Sequence, residues 1–192
     1  MGILDGSPIP TAIVSGYGSL SSMTNWVILA GLPGTGKSTL ARALVARLGG
    51  VVLNKDQVRE VLFPGSLTDY TREQDDLCMR AIFAAAAYLS ASGRARYVFL
   101  DGRTYSRREQ LDEAVRAAEQ AGAGWRILHI MCADEVAEAR LSVPDGSNAA
   151  RNRNAALYRE IKARFEPIVL SHTVVDTTDG VEKIADETAG VL

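Results

Sequence analysis

The sequence predicts an α/β domain whose parallel sheet is covered by helices on both faces. Short runs of consecutive apolar residues alternate with stretches of helical apolar spacing from Trp26 to Ala189. Strands joined through helices pair in parallel, and a strand buried on both faces is apolar at successive positions rather than at alternate ones. With 192 residues, of which 47% are hydrophobic and 23% charged, the chain fits one domain and has apolar surface enough for a substantial core.

Trp26-Val27-Ile28-Leu29-Ala30 reads as the first strand, closed by a glycine loop. Residues 37 to 48 follow as a helix with Leu40, Ala43, Leu44 and Leu48 at helical spacing, stopped by Gly49-Gly50. Val51-Val52-Leu53 is the second strand, and a helical stretch from Lys55 to about Leu62 stops at Phe63-Pro64-Gly65. An alanine-rich helix runs from about Thr71 to Ser92, with Leu77, Ile82, Phe83 and Tyr88 at core-like spacing. Tyr97-Val98-Phe99-Leu100 is the third strand and ends at Asp101. Ser106 and Glu109 read as a capping box opening a helix that reaches Ala121, and Arg126 to Met131 is the fourth strand. Ala133 to Leu141 is helical, 143–154 a polar loop, and Ala155 to Phe165 helical again before Pro167. Val174-Val175-Asp176 is a weak fifth strand, followed by a helix from Val181 to Ala189. Residues 1–24, rich in Gly, Ser and Pro without sustained period, read as a flexible N-terminal segment ahead of a domain over 25–192.

A formal net charge of −2 and a pI near 5.7 argue against a surface adapted as a whole to nucleic acid or anionic membrane. No run of eighteen apolar residues and no secretory pattern occurs, so the expected setting is cytoplasmic. Cys78 and Cys132 are too few and too irregularly spaced for a disulfide framework or a zinc site, and both read as buried small apolar residues. His129, inside an apolar strand, and His172, in a late loop, read as packed rather than catalytic.

The stretch Gly31-Leu32-Pro33-Gly34-Thr35-Gly36-Lys37-Ser38 matches the strand, glycine loop, helix pattern of a P-loop in full, with Thr39 continuing the helix. Glycines let the backbone fold around a triphosphate so that its N–H groups and the dipole of the following helix face the negative charge. In that pattern Lys37 reaches the β- and γ-phosphates of ATP and the Ser38 hydroxyl binds Mg²⁺. Asp101 ends an apolar strand at the carboxyl edge of the sheet, where open α/β folds place their ligands, and reads as the carboxylate that holds Mg²⁺ directly or through water, or as a turn cap beside Gly102. Arg103, Arg107 and Arg108 follow it as the densest basic group near that edge and offer donors to an anionic acceptor such as a phosphate or carboxylate.

Asp56-Gln57-Val58-Arg59 after the second strand, the Asp101-Gly102 strand end, Arg140-Leu141 before the polar loop and Phe165-Glu166-Pro167 together resemble small P-loop kinases. The relatives in question are gluconate kinase, zeta toxins and the kinase domain of polynucleotide kinase, and the likeness covers roughly Asn25 to Pro167. The resemblance implies a five-stranded sheet of order 2-3-1-4-5. It also implies transfer of the γ-phosphate of Mg-ATP to an acceptor hydroxyl, with Asp56 as general base and Arg59 as substrate ligand. The loop at about 142–154 resembles the lid that closes over ATP, which makes Arg140, Arg151 and Arg153 candidates for stabilising the transferring phosphoryl group. Where related lids carry a second arginine shortly after the first, this sequence reads Ser142-Val143-Pro144. The expected acceptor is a small molecule. A nucleic-acid 5′ end, needing only a short basic groove, and a regulatory nucleotide switch are the alternatives.

Overall fold

The computed structural model describes residues 23–143 and 154–192. Its strands are β1 (Asn25–Ala30), β2 (Val51–Asn54), β3 (Tyr97–Asp101), β4 (Gly124–Met131) and β5 (Thr173–Asp176). Its helices are α1 (Lys37–Leu48), α2 (Lys55–Leu62), α3 (Arg72–Ala91), α4 (Arg108–Gln120), α5 (Asp134–Ser142), α6 (Ala155–Ala163) and α7 (Val181–Gly190). The five strands form one sheet of order β2-β3-β1-β4-β5 with every pairing parallel, the order that the resemblance implied.

Strand pleating turns β1 into the shared wall of two cores. Trp26, Ile28 and Ala30 face Met79, Ile82, Phe83 and Ala86 of α3 and Leu111, Ala114 and Ala118 of α4. Val27 and Leu29 face Leu40, Ala41 and Leu44 of α1 and Val181 and Ala185 of α7. Alternate side chains of a strand point to opposite faces, so a continuous apolar run is what a three-layer fold needs at its centre. Full burial of a side chain the size of Leu or Phe contributes about 1.5–3 kcal/mol, and all of Trp26 to Ala30 is fully buried. Trp26 stacks on Phe83 and donates its indole N–H to Ser90 Oγ at 2.9 Å, which satisfies the polar atom of a buried ring. The edge strands β2 and β5 carry intermediate or exposed positions, as strands with one neighbour do.

Three local expectations are corrected. On α3, Leu77 and Tyr88 are exposed, and the buried stripe runs instead through Gln74, Cys78, Met79, Ile82, Phe83 and Ala86. Helix α4 starts at Arg108, not after a Ser106 cap: Gln110 Oε1 accepts from the Arg107 backbone N–H, Glu166 Oε2 accepts from Arg108 N–H at 2.7 Å, and the Ser106 carbonyl is taken by Glu166 N–H. A side chain distant in sequence supplies the missing acceptor, so no local pattern reveals it. Cys132 is half-buried rather than buried, while Cys78 is fully buried, and both thiols are free.

Of the N-terminal segment, Met23 and Thr24 are described. Thr24 is buried, and its hydroxyl donates to Ala95 O at 2.7 Å. Arg151, Arg153 and the tip of the expected lid lie outside the described residues. Among the described residues no helix is long and apolar enough to cross a membrane.

Candidate active site

The carboxyl ends of β1, β3 and β4 lie side by side, since Ile28 is in register with Leu100 and Ala30 with His129. The loop leaving β1 therefore starts over the middle of the sheet. Gly31 has φ +142°, and a Cβ there would stand 2.2 Å from the Ile130 carbonyl oxygen, so only glycine lets the chain pass so close to β4. Gly36, at φ +87°, is the left-handed N-cap from which α1 begins. Helix α1 has no acidic residue in its first turn and no side-chain cap, which leaves its leading N–H groups and positive dipole end to an external anion.

Internal bonds hold the loop in shape. Lys37 is buried and its Nζ donates to Gly31 O at 2.8 Å and Leu32 O at 2.6 Å, while Thr35 Oγ1 donates to Leu32 O at 2.9 Å. Gly31 N–H donates to Thr104 O at 3.0 Å, which ties the loop to the segment after β3. On the far side, fully buried Thr177 donates from its hydroxyl to Thr35 O at 2.8 Å. Arg140 donates to Thr177 O at 2.8 Å, to Thr177 Oγ1 at 3.2 Å and to Gly34 O at 3.4 Å. The arginine that the sequence puts at the lid thus clamps the outside of the P-loop against the turn after β5.

Register brings Asp101 beside Asn54. Asp101 is 2% exposed, its Oδ2 accepts from Asn54 Nδ2 at 2.6 Å, and its Oδ1 is buried without a protein partner. A buried carboxylate oxygen left unsatisfied is costly, so it marks a place for a ligand. The hard oxygens of Ser38 and Asp101 suit Mg²⁺. Among the described residues no group of three or more His, Cys, Asp or Glu could hold a metal. A dication here would therefore draw its remaining ligands from phosphate oxygens and water, the usual habit of Mg²⁺.

Asn54 also makes the next step. Its Oδ1 caps α2, accepting from Asp56 N–H at 2.9 Å and Gln57 N–H at 3.1 Å, and so fixes Asp56 in the first turn. Asp56 is 6% exposed. Its Oδ1 accepts from Arg59 at 3.1 Å and lies 3.7 Å from Lys55 Nζ. Asp75 of α3 pairs with both Lys55 and Arg59, while the Arg59 guanidinium lies 5.1 Å from the Tyr70 ring centre. Tyr70 has a backbone φ of +55°, a strained setting for a bulky residue, and strain of this kind gathers at ligand sites.

The P-loop and this carboxylate network open onto one cleft of about 370 Å³, lined among others by Pro33, Lys37, Lys55, Asp56, Arg59 and Tyr70. Arg103 and Arg107 line it too. Arg103 is 3% exposed and locked to Asp76 at 2.7 Å and Glu113 at 3.3 Å; Arg107 is partly exposed and pairs with Glu109 at 3.2 Å. His129 is half-buried, stacked on Phe165 at 5.6 Å and edge-on to His172 at 5.7 Å, and burial with the nearby His172 and Lys37 holds its imidazole below the ordinary value.

A family model described as an AAA domain matches residues 27–168. The chain belongs to that family. The matched span of this AAA-domain chain takes in the P-loop, Asp56, Asp101 and Arg140, and stops before Thr177. Its fold is that of P-loop kinases of known structure. A candidate kinase of Chloroflexus aurantiacus superposes with a TM-score of 0.68 at 21% identity, over 88% of this chain and 99% of that one. The APS kinase CysC of Mycobacterium tuberculosis, in complex with AMPPNP and APS, gives 0.66 at 17% identity, over 88% and 97%. A gluconokinase of Sinorhizobium meliloti gives 0.63 at 15%, over 88% and 91%. Identities this low establish the fold alone. No curated protein matches the chain significantly in sequence.

Sequence reasoning missed Asn54, Asp75 and Thr177. Asn54 had a readable signal, an Asn between an apolar strand and a helix with an acid in its first turn. Asp75 and Thr177 reach the site only through contacts distant along the chain, which leave no local pattern.

Proposed function

We propose that the chain is an ATP-dependent phosphotransferase that moves the γ-phosphoryl group to a hydroxyl of a small molecule. The observation that carries this reading is that the P-loop Lys37 and the buried Asp56 line one and the same cleft. A switch that only hydrolyses nucleotide has no use for a buried carboxylate such as Asp56 in the same cleft as the P-loop lysine.

The P-loop N–H groups and Lys37 hold the triphosphate and offset the charge that develops on its terminal phosphoryl group. Ser38 and Asp101 would hold Mg²⁺, which when bound neutralises phosphate oxygens and helps the leaving group depart. Asp56, paired at its Oδ1 with Arg59 and Lys55, orients the acceptor hydroxyl and takes its proton as the oxygen attacks the γ-phosphorus. The bond from that phosphorus to the bridging oxygen breaks, and ADP leaves with the electron pair. Arg59 positions Asp56 and the acceptor. Arg140 serves by position, fixing the shape of the loop from outside, while Arg151 and Arg153 are the remaining candidates to reach the transferring group.

The test is nucleotide affinity followed by transfer. Wild-type protein should bind a non-hydrolysable ATP analogue with Mg²⁺ dependence, and Lys37→Ala should weaken that binding at least about tenfold, or ~1.4 kcal/mol. Magnesium-independent binding that Lys37→Ala leaves untouched would remove the proposal. Hydrolysis indifferent to every small hydroxyl compound but stimulated by a protein would favour the switch instead.

A further inference from the structure

We propose that the acceptor carries an anionic group besides its hydroxyl, and that Arg72 and Arg107 receive it; this rests on the phosphotransferase reading and names the substrate class of the same cleft. Both arginines line the cleft. They come from different elements, Arg72 from the first turn of α3 and Arg107 from the residue before α4. Their guanidinium groups nevertheless meet at one atom. Arg72 lies 2.8 Å and Arg107 3.2 Å from the same oxygen, Glu109 Oε1. Two like charges brought together need an anion between them, and here a glutamate carboxylate fills the role.

That carboxylate is poorly suited to keep the place. Glu109 is 57% exposed and Arg72 59%, so their pairing is screened and weak, and the glutamate can swing into solvent. Arg72 has a second, longer contact, from Nε to Asp76 Oδ2 at 3.7 Å, a carboxylate that Arg103 already holds at 2.7 Å. An incoming carboxylate, phosphate or sulfate ester would make the same charge-assisted bonds in the cleft, where planar guanidinium forks match such groups well. Arg164 adds a third cation to the lining, and it too pairs with an exposed carboxylate, Glu160 at 3.1 Å. Arg59 and Arg103 differ: each is 3% exposed and held by carboxylates of the network, so they build the floor and are not free to exchange partners. The acceptor that fits has a hydroxyl for Asp56 at one end and a negative group for the Arg72 and Arg107 fork at the other.

The experiment loads the protein with Mg-AMPPNP, so that the P-loop is filled, and titrates inorganic sulfate by calorimetry at ionic strength held constant with chloride. Acetate in a parallel arm separates tetrahedral from carboxylate preference. Saturable binding of either anion is expected in the millimolar range. Arg107→Gln should weaken it tenfold or more, and Glu109→Gln, which removes the internal competitor, should strengthen it several-fold. A merely structural role for these residues would not produce changes of opposite sign. If neither anion binds saturably to loaded protein, or if binding ignores both variants, the proposal is overturned. Should Arg107→Gln fail to fold, Glu109→Gln decides alone. Failure of AMPPNP itself to bind would instead strike at the phosphotransferase reading.

Discussion

In the proposed transfer Asp56 is the side chain on which the chemistry turns, and its surroundings say how it can be tested. It is nearly fully buried, yet it sits with two cations and a second carboxylate, Asp75, so its charge is compensated rather than stranded. Replacing it by the isosteric Asn keeps the shape and the Asn54 cap, and removes the proposed proton acceptor. Turnover with a working acceptor should fall about a hundred- to ten-thousand-fold, while the KM for ATP stays near wild type, because in the proposed reading the P-loop, not Asp56, holds the nucleotide. Steady-state kinetics reads both numbers. An Asp56→Asn enzyme with unchanged kcat would leave Asp56 a structural member of the Arg59 and Asp75 network. The family resemblance marked Asp56 and Arg59, but nothing in the sequence pointed to Asp75, whose part depends on α3 packing against α2.

At the scale of elements, the loop between β1 and α1 is held by packing as much as by its own bonds. The Ile130 carbonyl stands where a Gly31 side chain would go, and the Arg140 and Thr177 clamp fixes the opposite rim. Gly31→Ala should therefore cost at least the roughly 1–3 kcal/mol of backbone strain, lower Tm by several degrees and weaken nucleotide binding. Gly49→Ala provides the comparison. It shares a positive φ of 74° but has nothing within 4 Å of the added carbon, so it should lose stability alone and keep nucleotide affinity. Thermal melts with and without ATP analogue separate the two effects, and equal loss of affinity in both variants would sink the argument from close approach. The P-loop was legible because its glycines, Lys37 and Ser38 are contiguous. Its clamp was not: Arg140 was read as a lid residue, and Thr177 lies more than thirty-five residues beyond it.

For the molecule as a whole, one titration links the core to pH. The His129 imidazole, pressed against Phe165 and His172, has a folded value below its ordinary 6.5. Above 6.5 the ring is neutral in folded and unfolded chains alike, so it contributes nothing there. Below it the unfolded chain takes up the proton more readily, so stability falls as the pH drops from about 6.5 toward the depressed folded value. His129→Gln should flatten the Tm profile in that window. The Asp69 and Asp176 carboxyls, held low by hydrogen bonds from Thr71 and Thr178, contribute stability that is present above their ordinary 3.8 and lost only at more acid pH. A profile that His129→Gln leaves unchanged near pH 6 would mean that other groups carry the acid sensitivity.

The sequence by itself determined the layered α/β plan, the place and order of its strands and helices, and the phosphate loop, because each is written in contiguous or periodic residues. The strand order came with the family resemblance. Only the tertiary structure decided which arginines are locked and which can exchange partners, that one carboxylate oxygen of Asp101 is left without a partner, and that Arg72 and Arg107 meet at a single glutamate oxygen. Those facts depend on parallel register and on helices crossing the sheet. Such contacts join residues far apart in the chain, where spacing and composition carry no information about distance.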